Sequence, residues 1–231
     1  MDARHAVVTG AASGIGAAVV RRLLADGWRV TGLDRAPQAA AERLTPITVD
    51  LTERDRLAAV AADLAAARPT ALVHSAGIMR ADDDAGTRAS GGATLWALHV
   101  AAAALLIETL TPAMPDRDGR VVVLSSRAAQ GRPGRMFYAA SKGGVEAMVR
   151  CAAGALVSRG ITVNAVAPGA TDTPQLVDPA RAGAPIKRPP IGRLIAPAEV
   201  AALIGFLLGP EAGAITGQTL TICGGASLTV S

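Results

Sequence analysis

Short apolar runs alternate with helical stretches along the whole sequence, and this alternation restricts the fold more than any other feature. Most of the apolar runs are continuous, as expected for parallel strands that helices cover on both faces. No linker rich in Pro, Gly or Ser divides the chain. The sequence therefore predicts one α/β domain over residues 1–231, a doubly wound parallel sheet of about seven strands with helices on both faces.

The predicted elements leave two irregular stretches, residues 80–92 and 171–191, which are polar or rich in proline and are interpreted as loops. Ligands of doubly wound sheets bind beyond the carboxyl ends of the strands, so the second loop is the candidate substrate loop. Strands are predicted at His5–Thr9, Arg29–Leu33, Pro46–Val49, Ala71–His74, Arg120–Leu124, Ile161–Val166 and Gln218–Ile222. Helices are predicted at Ile15–Asp26, Glu53–Ala67, Ala93–Met114, Tyr138–Ser158 and Pro197–Leu207.

Composition excludes several classes of function. Only Lys142 and Lys187 among the 23 basic residues are lysines, the arginines are scattered, and aromatic residues make up 2%, so a nucleic-acid partner is not expected. The chain begins without a signal-peptide core, and the strongly apolar run Val100–Ile107 is too short to cross a bilayer. Isolated Cys151 and Cys223 favour free thiols in a reducing compartment and form no metal motif. We expect a cytoplasmic protein without a membrane or metal, from a GC-rich bacterial genome.

A glycine-rich turn, TGAASGIG at Thr9–Gly16, follows the first predicted strand and opens into a helix. Glycine permits a tight turn and lets backbone N–H groups approach a phosphate at the positive end of the helix. In the first βα turn of such a sheet, this pattern predicts a Rossmann-type site for the pyrophosphate of a dinucleotide. The candidate coenzyme-binding residues of the turn are Gly10, Ser13, Gly14, Ile15 and Gly16.

Carboxylates follow the second and third strands. Asp34 can accept hydrogen bonds from both hydroxyls of the adenosine ribose and would repel a 2′-phosphate, which favours NAD over NADP. Arg35 beside it could turn toward a phosphate, so NADP is the less favoured alternative. Asp50 and Leu51 could place a side chain and backbone against the adenine, although Asp50 could instead cap the next helix.

The only tyrosine, Tyr138, precedes Lys142 by four residues in YAASK, a spacing that places both on one face of a helix. A phenol has a pKa of about 10 and is a poor base at neutral pH. An ammonium about 4 Å away stabilises the phenolate by about 1 kcal/mol in water and about 4 kcal/mol in a partly buried site. The pair therefore predicts an acid/base in a cleft. Ser125 and Ser126 end the fifth strand, where a hydroxyl can hold the substrate oxygen that Tyr138 protonates.

Together these motifs resemble those of the short-chain dehydrogenase/reductase family, through TGAASGIG, Asp34, the serines of VVVLSS, YAASK, VNAVAPG and ITGQTLTICGG near the carboxyl end. The resemblance implies an NAD(P)-dependent oxidoreductase of alcohols and carbonyls. Tyr138 would be the acid/base, and Lys142 would lower its pKa and bind the nicotinamide ribose. The resemblance implies Ser126 as the substrate-orienting serine because the SSxAA pattern aligns with it, whereas Ser125 has the family's usual separation of thirteen residues from Tyr138.

The family pattern also implies further coenzyme contacts, and the chain departs from that pattern at two histidines. His74 replaces the first Asn of the family's N-N-A-G, and we expect a structural role for it. His99 stands where the family often has an Asn that holds a water of a proton relay. His99 could hold the same water, could titrate near neutral pH, or could be a satisfied core histidine. The implied coenzyme contacts are Ser75, Ala76, Gly77, Pro168, Gly169, Thr171 and Thr173.

The sequence thus predicts an NAD-dependent dehydrogenase that interconverts a secondary alcohol and a ketone by hydride transfer. The alternatives are an NADPH-dependent carbonyl reductase of the 3-oxoacyl type and a catalytically inactive nucleotide-binding regulatory protein. Arg181, Lys187 and Arg188 in the substrate loop could meet a carboxylate, and a small hydroxy acid or sugar-derived alcohol is preferred as substrate. Residues 95–114 and 138–158 are apolar or small on nearly every helix face, which favours a homo-oligomer, a dimer or tetramer, over simple coverage by loops.

Overall fold

A single parallel sheet forms the centre of the protein. The computed structural model describes residues 4–80, 90–178 and 187–228. The strands of these residues are β1 (His5–Thr9), β2 (Arg29–Asp34), β3 (Leu44–Thr48), β4 (Ala71–His74), β5 (Arg120–Leu124), β6 (Thr162–Pro168) and β7 (Thr219–Ile222). They pair in the order β3-β2-β1-β4-β5-β6-β7, and every pair is parallel. The predicted strands are all present: β1, β4 and β5 have the predicted bounds, and the ends of the other four differ by at most two residues.

Helices cover both faces of the sheet, which confirms the predicted doubly wound α/β fold. The helices of the described residues are α1 (Gly14–Ala25), α2 (Arg54–Ala66), α3 (Ser90–Trp96), α4 (Ala102–Leu110), α5 (Met136–Leu156) and α6 (Pro197–Leu207). On one face the sheet packs against α2, α4 and α5, with Leu57, Leu106, Leu110, Val145 and Val149 buried in the core. On the other face it packs against α1 and α6, with Val19, Leu23, Ile204 and Leu207 buried.

The long helix predicted at Ala93–Met114 is not one continuous α-helix. It consists of α3, a π-helical turn at Ala97–Ala101, α4 and a 3₁₀ turn at Thr111–Ala113. A π turn inserts one residue into an α-helix, and apolar periodicity over so short a stretch does not reveal it. The first residues of α3 also lie within the loop predicted at residues 80–92, so that loop ends earlier than expected.

The segment Gly91–Ala113 is long and apolar enough, by length and composition, to cross a bilayer. Only the shorter run Val100–Ile107 within it was considered in the sequence. Several of its side chains nevertheless lie in the protein core. Leu95, Leu106 and Leu110 are almost completely buried. Core helices of soluble proteins have the same composition, and the burial of these side chains accounts for the apolar character of the segment.

The strand order places a crevice at the carboxyl ends of β1 and β4. From β1 the chain passes to β2 and β3 on one side, and it then returns to β4 on the other side of β1. Adjacent crossovers therefore diverge from this point, which is where doubly wound sheets bind ligands. The last paired residues of these two strands are Thr9 and His74, and both lie beside the site described next.

Candidate active site

Two adjoining cavities of about 620 and 650 Å³ lie at the carboxyl edge of the sheet. We call them the glycine-turn cavity and the tyrosine cavity. Both are lined by Ile15, Ser75, Gly77, Thr173 and Gln175. The glycine-turn cavity is also lined by Gly10, Ser13, Gly14, Gly16, Asp34, Asp50, Leu51 and Ala76. The tyrosine cavity is also lined by Ser126, Tyr138, Lys142, Pro168, Gly169 and Thr171. Every candidate catalytic or coenzyme-binding residue from the sequence therefore lines one of the two cavities, except His99.

The glycine turn is packed so closely at Gly10 and Gly16 that a side chain would not fit at either position. Gly10 has a φ of +67°, and a Cβ on it would lie 2.9 Å from the backbone of Ala76. A Cβ on Gly16 would collide with the carbonyl oxygen of Gly10. The turn leads directly into α1, whose N-terminus faces the cavity. An amino-terminal helix end with exposed backbone N–H groups suits a pyrophosphate, so the turn fits the dinucleotide that the sequence predicts.

Asp34 is held in a fixed position at the same cavity. Its Oδ2 accepts the N–H of Ala12 at 3.0 Å, and its Oδ1 accepts the N–H of Ala36 at 2.9 Å. Each carboxylate oxygen has a second lone pair that can accept a hydroxyl. Arg35 also lines this cavity, next to Asp34.

Asp50 does not cap the helix that follows it. Its Oδ1 accepts the backbone N–H of Thr52 at 2.9 Å and the Thr52 hydroxyl at 2.7 Å, whereas the N-cap residue of α2 is Glu53. These hydrogen bonds, with the backbone N–H of Thr52 first, lower the pKa of Asp50. The carboxylate therefore closes a turn at the wall of the glycine-turn cavity, beside Leu51.

His74 connects three segments around the site. Its Nε2 lies 3.1 Å from the carbonyl oxygen of Leu98, so Nε2 carries the proton and Nδ1 accepts the Thr9 hydroxyl at 3.1 Å. The same hydroxyl accepts the N–H of Ala76 at 3.1 Å. Burial, with the nearby charge of Lys142, lowers the pKa of His74 to about 3, so the ring is neutral at neutral pH. The histidine thus fixes the backbone after β4 and provides a partner for a carbonyl of the π turn, as expected for a structural role.

Tyr138 and Lys142 lie one turn apart on α5, are 6% and 3% exposed, and line the same cavity. The Nζ of Lys142 donates to the carbonyl oxygen of Leu124 at 2.7 Å, and it lies close to Gly77 between the two cavities. Burial lowers the pKa of Lys142 to about 7. In the protein alone, the amine is therefore about half protonated at neutral pH, and the phenolate gains the favourable charge only from the protonated form.

The two serines after β5 have different surroundings. Ser125 is buried, and its hydroxyl donates to the carboxylate of Glu146 at 2.7 Å, with the Lys142 carbonyl at 3.3 Å. Ser126 is half-buried, and its Oγ accepts the N–H of Ala128 at 3.1 Å. An oxygen that accepts an N–H retains its own proton for another acceptor. Ser126 therefore has a hydroxyl proton to offer in the tyrosine cavity, whereas the Ser125 proton is used within the protein.

Comparisons with known proteins agree with these motifs. The family model described as enoyl-(acyl carrier protein) reductase matches residues 10–227. The chain is 38% identical to a cis-4-hydroxycyclohexanecarboxylate dehydrogenase of Sinomonas cyclohexanicum, over 96% of each chain. It is 32% identical to the 3-oxoacyl-[acyl-carrier-protein] reductase FabG of Thermotoga maritima, over 97% of this chain and 98% of that one. A crystal structure of a short-chain dehydrogenase family protein from Francisella tularensis has a TM-score of 0.87 and 27% identity, over 97% of this chain and 99% of that one.

The chain belongs to the short-chain dehydrogenase/reductase family. It is an NAD(P)-dependent oxidoreductase that acts on CH–OH groups. Solved structures of the same fold include complexes with NADP or NADPH. The seven-stranded parallel sheet is the fold of this short-chain dehydrogenase/reductase, and the two cavities lie where its coenzyme and substrate would meet.

Both ring nitrogens of His99 have hydrogen-bond partners within the protein. Its Nε2 accepts the N–H of Ile78 at 3.1 Å, and its Nδ1 donates to the Ser141 hydroxyl at 2.9 Å. That hydroxyl donates to the carbonyl oxygen of Tyr138 at 2.8 Å. Burial, followed by the charge of Lys142, lowers the pKa of His99 well below its usual range. These contacts fit the third interpretation, a satisfied core histidine.

Sequence reasoning missed several residues at the site of this short-chain dehydrogenase/reductase. Thr9 is the end of a strand and the start of the glycine-rich turn in the sequence, but its hydroxyl was given no role at the site. Arg132 was not considered, although it lies between two catalytic candidates and lines the tyrosine cavity. In the substrate loop, Gln175 donates to the carbonyl oxygen of Gly77 at 3.2 Å. Residues 171 and 173–178 contribute to the walls of the two cavities, as the predicted loop implies, whereas residues 179–186, with Arg181, lie outside the described residues.

Proposed function

We propose that this protein oxidises a secondary alcohol, or reduces the corresponding ketone, with NAD as coenzyme and Tyr138 as the general acid/base. The observation that supports the proposal most strongly is the shared cavity of Ser126, Tyr138 and Lys142, which adjoins the glycine-turn cavity. A proton donor or acceptor, a hydroxyl donor and a cation thus surround one space next to a dinucleotide-type turn. This set suits the removal of the proton from the hydroxyl oxygen of an alcohol while the carbon that bears the hydroxyl loses hydride.

The coenzyme, when bound, supplies the hydride acceptor for oxidation and the hydride donor for reduction. In the oxidation, the Tyr138 phenolate takes the proton of the substrate hydroxyl while Ser126 donates a hydrogen bond to the same oxygen. The Lys142 ammonium stabilises the phenolate and is placed to bind ribose hydroxyls. The residues that would hold the nicotinamide end are Pro168, Gly169, Thr171 and Thr173, and the glycine turn with Ser13, Ile15, Asp34, Asp50, Leu51 and residues 75–77 would hold the remainder.

The preference for NAD depends on Asp34, whose carboxylate is fixed by two backbone N–H groups and would face the adenosine ribose. A 2′-phosphate in that place would meet a carboxylate of like charge. Fluorescence titration should show NADH binding at least tenfold more tightly than NADPH. Asp34→Asn should reduce this preference, whereas Asp26→Asn, at an exposed site on the far end of α1, should retain it. Tighter binding of NADPH to the unchanged protein would remove the argument.

The acid/base role is tested with a panel of secondary alcohols and NAD, followed at the absorbance of reduced nicotinamide. Because a relative of this chain is named for cis-4-hydroxycyclohexanecarboxylate, that hydroxy acid is the first member of the panel. Tyr138→Phe should lower kcat by about 10³-fold, within the range for loss of a general acid/base, with NADH affinity nearly unchanged. Substantial turnover in Tyr138→Phe would show that another group moves the proton.

An NADPH-dependent reductase of the 3-oxoacyl type is the second candidate, favoured by Arg35 in the cavity wall and by the FabG relative. The same titration decides between the two. A catalytically inactive regulatory protein lacks support, because His74 and His99 take part in internal hydrogen bonds that leave Ser126, Tyr138 and Lys142 around one cavity.

We also propose a homo-oligomer, a dimer or tetramer, in a bacterial cytoplasm. Trp96 is 51% exposed on α3 and lies against Gly144 of α5, so apolar surface continues from one predicted pairing helix to the other. Burial of such a surface against a second copy would remove it from water. Light scattering after size exclusion gives the mass directly, and a monomer at micromolar concentration would contradict the proposal.

A further inference from the structure

Every charged side chain that lines the tyrosine cavity is positive. Besides Lys142, they are Arg127, Arg132, Lys187 and Arg188. Among the described residues of the cavity wall there is no Asp or Glu. A cleft lined by one sign of charge concentrates ligands of the opposite sign. The cavity therefore favours a substrate that carries negative charge over a neutral one.

Arg127 and Arg132 are half-buried, yet their guanidinium groups have no hydrogen bond or ion pair with other groups in residues 4–80, 90–178 and 187–228. Other partly buried or buried arginines of the chain differ. Arg120 donates to two backbone carbonyls, and Arg159 donates to two carbonyls and to the carboxylate of Asp116. A guanidinium that is removed from water without a partner is costly, and an anionic ligand would supply the missing acceptors.

The electrostatic surroundings of Arg132 point in the same direction. Burial lowers its pKa, and the nearby positive charges of Arg135 and Arg127 lower it further. Arg132 thus lies near the positive charges of two other guanidinium groups, and an anion bound to Arg127 and Arg132 would reduce this repulsion. Arg127 directly follows Ser126 in sequence, and Arg132 lies on the loop that connects this serine to Tyr138. An anion bound by these arginines would belong to the same molecule whose oxygen Ser126 and Tyr138 contact.

We propose that Arg127 and Arg132 bind an oxyanion of the substrate, a carboxylate or a phosphate, and so select a hydroxy or oxo acid or a phosphate-bearing acyl thioester. The planar guanidinium presents a fork of N–H donors that matches either oxyanion. Lys187 and Arg188 add positive charge from the other end of the substrate loop. This inference rests on the proposed function, because it specifies the substrate of the same site.

The test measures binding to the protein–NADH complex and does not depend on turnover. The first pair of probes is cyclohexanecarboxylate and its neutral carboxamide, and the second pair is 4′-phosphopantetheine and pantetheine. Dissociation constants are measured by the change in NADH fluorescence for the unchanged protein and for Arg127→Gln, Arg132→Gln and Arg132→Lys. Arg21→Gln is the matched control, because it removes the same charge from an exposed position on α1. Thermal unfolding checks that each variant is folded.

We expect the anionic member of at least one pair to bind at least tenfold more tightly than its neutral partner, as for one charge-assisted hydrogen bond or more. The pair that shows the preference identifies the oxyanion as carboxylate or phosphate. Arg132→Gln and Arg127→Gln should each reduce the preference at least fivefold, Arg132→Lys should retain part of it, and Arg21→Gln should retain all of it. Equal binding within both pairs, or a preference that survives Arg127→Gln and Arg132→Gln, would overturn the inference. Neutral alcohols that are oxidised with NAD would leave the proposed function intact in that event.

Discussion

The buried amine of Lys142 should make the stability of the protein depend on pH in a defined direction. Burial lowers its pKa from 10.5 to about 7 in the folded protein, whereas the unfolded chain retains the ordinary value. Between these two values the unfolded state binds a proton that the folded state has released. The free energy of unfolding therefore rises with pH in this range and falls as the pH drops toward 7, where the folded protein must hold the charge in its interior.

The size of the effect follows from the two pKa values. Where the folded and unfolded states differ by one bound proton, the free energy of unfolding changes by about 1.4 kcal/mol per pH unit. The change is smaller near pH 7, because the folded protein is half protonated there. The free energy of unfolding should therefore increase by about 2 kcal/mol between pH 7 and 9. Urea unfolding of the coenzyme-free protein, at fixed protein concentration with a thiol reductant, measures it. The quantity to compare is the difference between the unchanged protein and Lys142→Met, because contributions of other titrating groups largely cancel.

Lys187→Met is the control, since it removes the only other lysine from an exposed position. It should leave the pH dependence of the unfolding free energy unchanged. If the unchanged protein and Lys142→Met show the same slope between pH 7 and 9, the amine keeps its ordinary pKa, and the reasoning from burial is refuted. A slope of the opposite sign would mean that a buried anion, rather than desolvation, dominates the surroundings of Lys142.

Three further predictions follow from the contacts at the site. Ser126→Ala should lower kcat by about 100-fold in steady-state assays, whereas Ser125→Ala should change it less than about fivefold, because the Ser125 proton is donated within the protein; equal losses would contradict this division. Gly10→Ala should lower the unfolding free energy in urea by about 1–2 kcal/mol from the positive φ of Gly10 alone, and it should weaken NADH binding in fluorescence titration. Gly154→Ala, in open space on α5, is the control and should be neutral or stabilising in the same two measurements. His74→Ala should lower the free energy of unfolding in urea by about 2–4 kcal/mol, because it leaves a cavity and two buried polar groups without their partner. A loss below about 1 kcal/mol would show that the hydrogen bonds of His74 are not needed for stability.

The sequence alone determined the architecture and the composition of the site. Continuous apolar strands that alternate with helices admit few folds, and the carboxyl edge of a parallel sheet is the place where residues after each strand meet. The glycine turn after β1, Asp34 after β2 and the spacing of Tyr138 and Lys142 could be read directly because each depends on local backbone geometry. The structure places these residues around two adjoining cavities.

The role of a side chain whose partners are distant in sequence could be decided only by the tertiary structure. The sequence leaves open which of Ser125 and Ser126 contacts the substrate, and only the position of α5 shows that Ser125 donates its hydrogen bond to Glu146. His99 had three interpretations until the contacts of both ring nitrogens were known. The unpaired guanidinium of Arg132 likewise became meaningful only through the groups that surround it. Local sequence determines the backbone conformation of each turn, helix and strand. The hydrogen-bond partners, the desolvation and the neighbouring charges of a side chain depend instead on which distant segments the fold brings together.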